Sequence, residues 1–245
     1  MKSLKKALDI LEFIVNHGSQ PVTPGMAAGK LGLDAATCVR VMQEFTGMGY
    51  LVQVSRRAGY MPGPALFTFS DRAQWQFCRL ARAAAGPVKN LAHKLNTLVN
   101  ISVLHNGCRY ILYHYSADGS RDISLQTRYS HDFYTTATGR LLLATLPETE
   151  AAGLCARIGI KDFAGNPVET CPFLEELKTI AAEGRVCFRT PDRQHWIIGA
   201  LVRARDFPPA AIGFGAQGES GAEALKAARE AARQIEGNLK APAMQ

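Results

Sequence analysis

Apolar residues Leu4, Ala7, Leu8, Leu11, Ile14 and Val15 recur at steps of three and four, the spacing of one helix face. They predict a first helix of about four turns, with Ser3 as N-cap and Gly18 as stop. Thr23-Pro24 then reads as a cap followed by proline at the first helical position, opening a short helix through Met26, Ala27 and Leu31 that ends at Gly32. Asp34 caps a third helix, 35 to about 48, with Cys38, Val41, Met42 and Phe45 on one face. Short extended runs at 50–55 and 59–61 flank Arg56-Arg57-Ala58-Gly59 and predict a small hairpin. The first 65 residues thus read as helix, helix-turn-helix, hairpin.

Pro62 and Pro64 interrupt the pattern before a linker helix at about 70–84 and another short helix at 87–95. Strands follow at 99–105 and 109–115, joined by Asn106-Gly107, a strong hairpin-turn signal. Helices are predicted at 137–146 and 148–157, strands at 186–189, 196–202 and 210–214, and a long alanine-rich closing helix at 220–239. Strands in hairpins with helices outside them indicate an α+β chain. The expected division is a small first domain at 1–66, a linker helix at 67–85 and a larger domain at 86–245, without internal repeats or low-complexity tracts.

Composition narrows the class. The 47% apolar and 20% charged fractions are those of a folded chain, and no run of about 18 apolar residues would span a membrane. The N-terminus enters its amphipathic pattern at once, without the apolar stretch and cleavage site of a signal peptide, so a cytoplasmic location is expected. Six cysteines lie far apart with no C-x-x-C, and Cys108 with His114 lacks a second pair at zinc-finger spacing; all six are expected to be reduced thiols. The net charge of +7 is unevenly spread. Residues 1–70 hold seven Lys/Arg against four Asp/Glu and are the more basic part per residue, which suits a polyanionic partner.

Catalytic signals are missing. The six histidines show no H-E-x-x-H, and no G-x-S-x-G marks a nucleophile elbow. Gly213-Phe214-Gly215-Ala216-Gln217-Gly218 matches G-x-G-x-x-G, but the acidic residue at the right distance, Glu236, falls in the closing helix and no further strand follows. Asn100-Ile101-Ser102 is a chance sequon. No enzyme activity, metal or cofactor is expected.

Several segments resemble the IclR-type transcription regulators. These are Ser3 to Leu11, Ala27-Ala28-Gly29-Lys30-Leu31-Gly32-Leu33, Thr37 with Arg40, Gly49-Tyr50-Leu51, Gly59-Tyr60 with Pro62-Gly63-Pro64, and the run Tyr134 to Ala144 around Thr138-Gly139-Arg140. The resemblance covers nearly the whole chain in order. It implies an N-terminal winged helix-turn-helix that binds double-stranded DNA and a C-terminal GAF-like α/β effector domain. It further implies a homodimer or dimer of dimers acting on a promoter in response to a small metabolite, frequently a carboxylate.

A recognition helix presents its N-terminal residues to the major groove. Thr37, Arg40 and Gln43 are the candidates here, with Lys30, Arg56 and Arg57 as further contacts and Lys5 and Lys6 as phosphate candidates. Ordinary solvated charge is the alternative for each, and Glu44 is placed to hold Arg40. Ala35-Ala36 departs from the family's polar pair, which leaves open a regulator with weakened readout that works mainly through protein contacts. For the effector, the resemblance points to Tyr134, Asp192, Trp196, Ile197, Gly213 and Gly215, with Phe133 nearby. Ile197, Gly213 and Gly215 stand where relatives carry Cys or Ser. A pocket so stripped of hydroxyls implies a larger, more apolar effector or a lost sensing function.

Overall fold

The computed structural model of the protein describes residues 2–17, 20–70, 76–118, 129–217 and 221–240, and the chain separates into two units, Met1–Ala73 and Gln74–Gln245. In the first unit, helices α1 (Lys2–Val15), α2 (Pro24–Leu31) and α3 (Ala35–Gly47) precede an antiparallel hairpin of β1 (Leu51–Ser55) and β2 (Gly59–Pro62), then a short α4 (Ala65–Ser70). Thr23 Oγ1 accepts the Met26 amide at 3.3 Å to start α2, which ends at the left-handed Gly32. Asp34 Oδ1 accepts the Thr37 amide at 3.1 Å and starts α3 two residues later. That tight succession of stop and cap fixes the turn of the helix-turn-helix. Gly59, at φ +101, is required where the hairpin meets the Val22 backbone: a Cβ there would lie 2.3 Å from the Val22 carbonyl oxygen.

The core of this unit is Ile10, Ile14, Val22, Ala27, Cys38, Met42, Leu51 and Tyr60. Here the sequence expectation needs correcting. α1 begins at Lys2, so Ser3 lies inside the helix and is not its cap. Ile10, off the expected stripe, is fully buried, whereas Leu4 and Leu8 are 66% and 48% exposed and Val15 is also exposed. α1 therefore carries two apolar faces, only one of which its own unit covers. The expected stop at Gly18 lies outside the described residues.

The second unit is a three-layer arrangement. α5 (Gln76–Leu95) leads into β3 (Leu98–His105), β4 (Cys108–Ser116) and the two-residue β5 (Tyr129–Ser130). Then come α6 (Ala137–Leu143), α7 (Glu148–Ile158), α8 (Thr170–Glu183), β6 (Arg185–Arg189), β7 (His195–Val202), β8 (Ala210–Gln217) and α9 (Gly221–Lys240). The strands form one sheet in the order β5-β4-β3-β8-β7-β6, antiparallel at every pairing. Alternation along each strand divides two cores. Val99, Ile101, Val103, Ile198, Ala200, Ile212 and Phe214 pack under α5 and α9. Leu201 and Ala211 pack with Leu141, Leu142, Leu154, Phe173 and Leu177 of α6, α7 and α8 on the other face. Asn106 and Gly107 both have positive φ, which is the backbone twist that closes β3 onto β4.

α5 is one continuous helix where the sequence predicts two separated near Gly86-Pro87, and residues 71–75 of the expected linker lie outside the described ones. Pro87 has no N–H to give the Ala83 carbonyl. Asn238 of α9 donates its side-chain amide to that carbonyl at 2.9 Å, so the interruption is repaired from a neighbouring helix. The expected linker boundary at 85/86 consequently falls within α5. α6 stops at Leu143 rather than 146, and α4, α8 and β5 are elements the sequence pattern did not predict.

Candidate functional site

Two places hold the residues singled out from the sequence. In the first unit, α3 buries Cys38 and Met42, which leaves Arg40 and Gln43 exposed one turn apart on the opposite side. Thr37, in the first turn, is half-buried, its amide held by the cap. Among the described residues no ion pair joins Arg40 to Glu44, so the guanidinium is not held by its i+4 neighbour. Arg56 and Arg57 are exposed in the turn between β1 and β2, where Ser55 Oγ accepts the Ala58 amide at 2.9 Å and shapes the tip. Lys30 is exposed in the last turn of α2. Lys5 pairs with Asp9 at 2.9 Å along α1. Ala35 and Ala36 are exposed and bring no polar group to the start of α3.

In the second unit, a cavity of about 400 Å³ opens between the sheet and the start of α6. Ile197, Gly213 and Gly215 line it, as the sequence expectation had them. The other three candidates lie elsewhere. Trp196 is one residue out of phase on β7 and faces the α5/α9 core, with the Arg189 guanidinium 4.6 Å above its ring. Tyr134 packs edge-on against Phe173 and lies 4.3 Å from the Arg140 guanidinium. Asp192 sits exposed in the β6–β7 turn, where the Thr190 hydroxyl at 2.5 Å and the Gln194 amide at 3.0 Å hold its carboxyl below the usual range. Tyr134 and Asp192 border a different hollow of about 790 Å³, whose buried Arg140 is already ion-paired with Glu176.

The glycines also carry a different meaning from the one expected. A Cβ on Gly213 would come 2.7 Å from Thr138 Cγ2, and one on Gly199 would meet the Ile212 carbonyl oxygen at 2.7 Å and Ala137 Cβ at 2.9 Å. These residues are bare because α6 lies directly on the strands. Gly139 lets the helix start close to Asp132 and Phe133, and Thr136 caps it by accepting the Gly139 amide at 3.2 Å. Gly215 differs: its Cβ direction meets nothing nearer than the Trp196 carbonyl oxygen at 3.9 Å.

Polar groups reach the cavity from other elements. Thr97, Asn100, Thr135, Thr136 and Thr138 line it, so the expectation of a hydroxyl-poor pocket does not hold. Arg109 of β4 lines it too and is only 6% exposed. Its Nη1 donates to Thr138 Oγ1 at 3.3 Å and to Ser102 Oγ at 3.5 Å. Its Nε is the one buried side-chain nitrogen or oxygen without a hydrogen-bond partner among the described residues. Burial pulls this guanidinium below the ordinary arginine value, with the charge of Asp132 opposing. The sequence reading passed over Arg109. Its partner in the β3–β4 register is Leu104, and a bulge after Ile111 puts Arg109 and Ile111 on the cavity side while Tyr113 and Tyr115 go to the opposite core.

Among the described residues no group of three or more His, Cys, Asp or Glu is gathered to hold a metal, and all six cysteines are free thiols. No described helix is long and apolar enough to cross a membrane. Gly213 and Gly215 lie on an antiparallel strand, which is not the parallel βαβ setting of a dinucleotide loop, and Gly218 lies outside the described residues.

No protein-family model matches the chain, and no curated protein is similar to it in sequence. Solved structures are similar in fold. An IclR homolog from Microbacterium hydrocarbonoxydans complexed with 4-hydroxybenzoate superposes with a TM-score of 0.78 at 19% identity, covering 98% of this chain and 100% of that one. The IclR transcriptional regulator of Alicyclobacillus acidocaldarius gives 0.73 at 17% identity over 98% and 99%. HmgR of Pseudomonas aeruginosa gives 0.69 at 20% over 97% and 98%. The fold of this chain, a winged helix-turn-helix followed by a GAF-like α/β unit, is that of the IclR-type transcription regulators.

Proposed function

We propose that the chain is a transcription regulator of the IclR type, not an enzyme, in which the first unit, Met1–Ala73, binds operator DNA and the second, Gln74–Gln245, binds a small effector. One observation carries this reading. Arg40 and Gln43 stand exposed on a capped α3 whose other face is core, in the same unit as the exposed Arg56-Arg57 tip of the hairpin. A helix in the major groove with a basic hairpin tip on the backbone or minor groove is the geometry of a winged helix-turn-helix on duplex DNA. Arg40 suits guanine and Gln43 suits adenine, while Thr37, Lys30, Arg56 and Arg57 serve phosphates.

The second unit's cavity is the candidate effector site, and the 4-hydroxybenzoate held by the Microbacterium hydrocarbonoxydans homolog supports a small organic ligand there. The apolar face of α1 left open by its own unit, Leu4 and Leu8 with Val15, supports a homodimer or a dimer of dimers. Effector binding then favours one arrangement of the protomers and changes the spacing of two recognition helices against half-sites about one helical turn apart. The location is the cytoplasm.

Ala35 and Ala36 favour a second reading, in which direct readout is weak and protein contacts dominate. Titrating the promoter beside the protein's own gene separates the two. Sequence-preferring binding lost in Arg40→Ala supports the first; equal, weak binding to any duplex supports the second.

A further inference from the structure

The outward face of α3 begins apolar. Ala36, Val39, Arg40 and Gln43 stand at i, i+3, i+4 and i+7, the spacing of a single helix face. All four are exposed, whereas Cys38 and Met42 on the other side are fully buried. Val39 is 37% exposed, a large hydrophobic side chain that its own unit leaves open to solvent. A lone exposed valine would call for no explanation. This one shares its face with Ala36 and with Arg40 and Gln43, the two side chains suited to base edges. It also lies toward the N-terminal end, which a recognition helix turns to the groove. α3 has no acidic residue in its first turn to repel a phosphate, and the Asp34 carboxylate that caps it is turned to the Thr37 amide.

We propose that α3 reads thymine methyls: Ala36 and Val39 pack against the C5 methyl groups of two neighbouring thymines in the operator half-site, beside the guanine and adenine read by Arg40 and Gln43. This rests on the regulator reading and gives Ala35-Ala36 a different meaning from weak readout. The thymine methyl is the one apolar group among the base-edge patterns of the major groove, and alanine and other methyl-bearing side chains are its partners. Short side chains suit that contact. A helix with its side chains is about 10–12 Å across and the groove about 12 Å wide, so a first turn thinned to Ala35 and Ala36 lets the backbone approach the base edges. Residues three apart are about 4.5 Å apart along the helix axis, a little more than the step of about 3.4 Å between stacked bases. An inclined helix therefore sets Ala36 and Val39 against consecutive bases. Lys30, Arg56 and Arg57, exposed on the same unit, hold the phosphates without regard to sequence, which leaves discrimination to this face.

The full-length protein is bound at fixed salt to the promoter fragment beside its own gene and to the preferred duplex selected from a randomised pool. Each is made with thymidine and with deoxyuridine, which pairs alike and lacks only the methyl. Complete replacement is expected to weaken binding about tenfold or more, while a duplex of unrelated sequence binds equally well in both forms. Single replacements are expected to confine the loss to two adjacent positions in each half-site, about fourfold at each, the worth of one buried methyl. Val39→Ala and Ala36→Gly each bring the thymidine-to-deoxyuridine ratio at one of those positions close to one. Arg40→Ala binds more weakly but keeps both ratios. Each ratio compares two duplexes with one protein, so any change in the variant's stability cancels. An effect of the methyls on duplex shape alone would persist in all three variants. The proposal is overturned if the deoxyuridine operator binds within twofold of the thymidine one, or if Val39→Ala and Ala36→Gly keep the wild-type ratios. Sequence-preferring binding that ignores the methyls leaves the regulator reading standing. Equal, weak binding to every duplex, the selected ones included, defeats both.

Discussion

Gly199 and Gly213 are small because α6 rests on the strands beneath it, and this closeness brings Thr138 within reach of Arg109. Gly199→Val, placing carbons where the Ile212 carbonyl oxygen and Leu141 already lie, is expected to destabilise the chain by about 1–3 kcal/mol. Gly215→Ala, directed into open space, is expected to leave stability within about 0.5 kcal/mol; urea denaturation of the two variants checks both. Gly213 and Gly215 were visible in the sequence; read as missing serines, they suggested a bare pocket, when hydroxyls come from Thr97, Thr135, Thr136 and Thr138. Arg109 was illegible for a related reason, because only the fold reveals that a strand arginine has no counterion. On the DNA side, Arg40→Ala is expected to weaken operator binding by roughly tenfold or more, equivalent to about 1–3 kcal/mol. The exposure of Arg40 predicts an unchanged melting curve for that variant, read by circular dichroism.

Caps and turns were the readable part of the elements, because their chemistry is local. Thr23, Asp34 and Asn106-Gly107 act within three residues of themselves, and each does in the structure what its type and position suggest. Elements that depend on distant partners were not readable. Pro87 argued for a break in α5, and the donor that repairs the helix, Asn238, lies on the last helix of the chain. Asn238→Ala is expected to cost about 1 kcal/mol in denaturant unfolding through the carbonyl it leaves without that donor. α8 carried its own signal in Phe173, Leu177 and Ile180, all buried at helical spacing. The β4 bulge was hidden as well, since unbroken alternation would have put Arg109, Ile111, Tyr113 and Tyr115 on one face. Asp34→Ala, which removes the α3 cap, is expected to cost about 1 kcal/mol and to weaken duplex binding together with stability.

For the whole molecule, the α+β class and the basic character of the N-terminal part follow from the chain's own pattern, while the assembly rests on what one copy leaves uncovered. The face of α1 bearing Leu4 and Leu8, 66% and 48% exposed, argues for a second copy. Sedimentation is expected to show a dimer or tetramer that Leu8→Glu shifts toward smaller species without unfolding either unit. Binding to the promoter beside its own gene at two salt concentrations is the direct test of duplex reading through α3 and the hairpin tip. With Lys30, Arg56 and Arg57 as cationic phosphate contacts, binding is expected to be saturable and sequence-preferring, its log affinity falling by roughly 3 per tenfold rise in salt for each protomer. Weak binding, equal on every duplex and unaffected by Arg40→Ala, would contradict it.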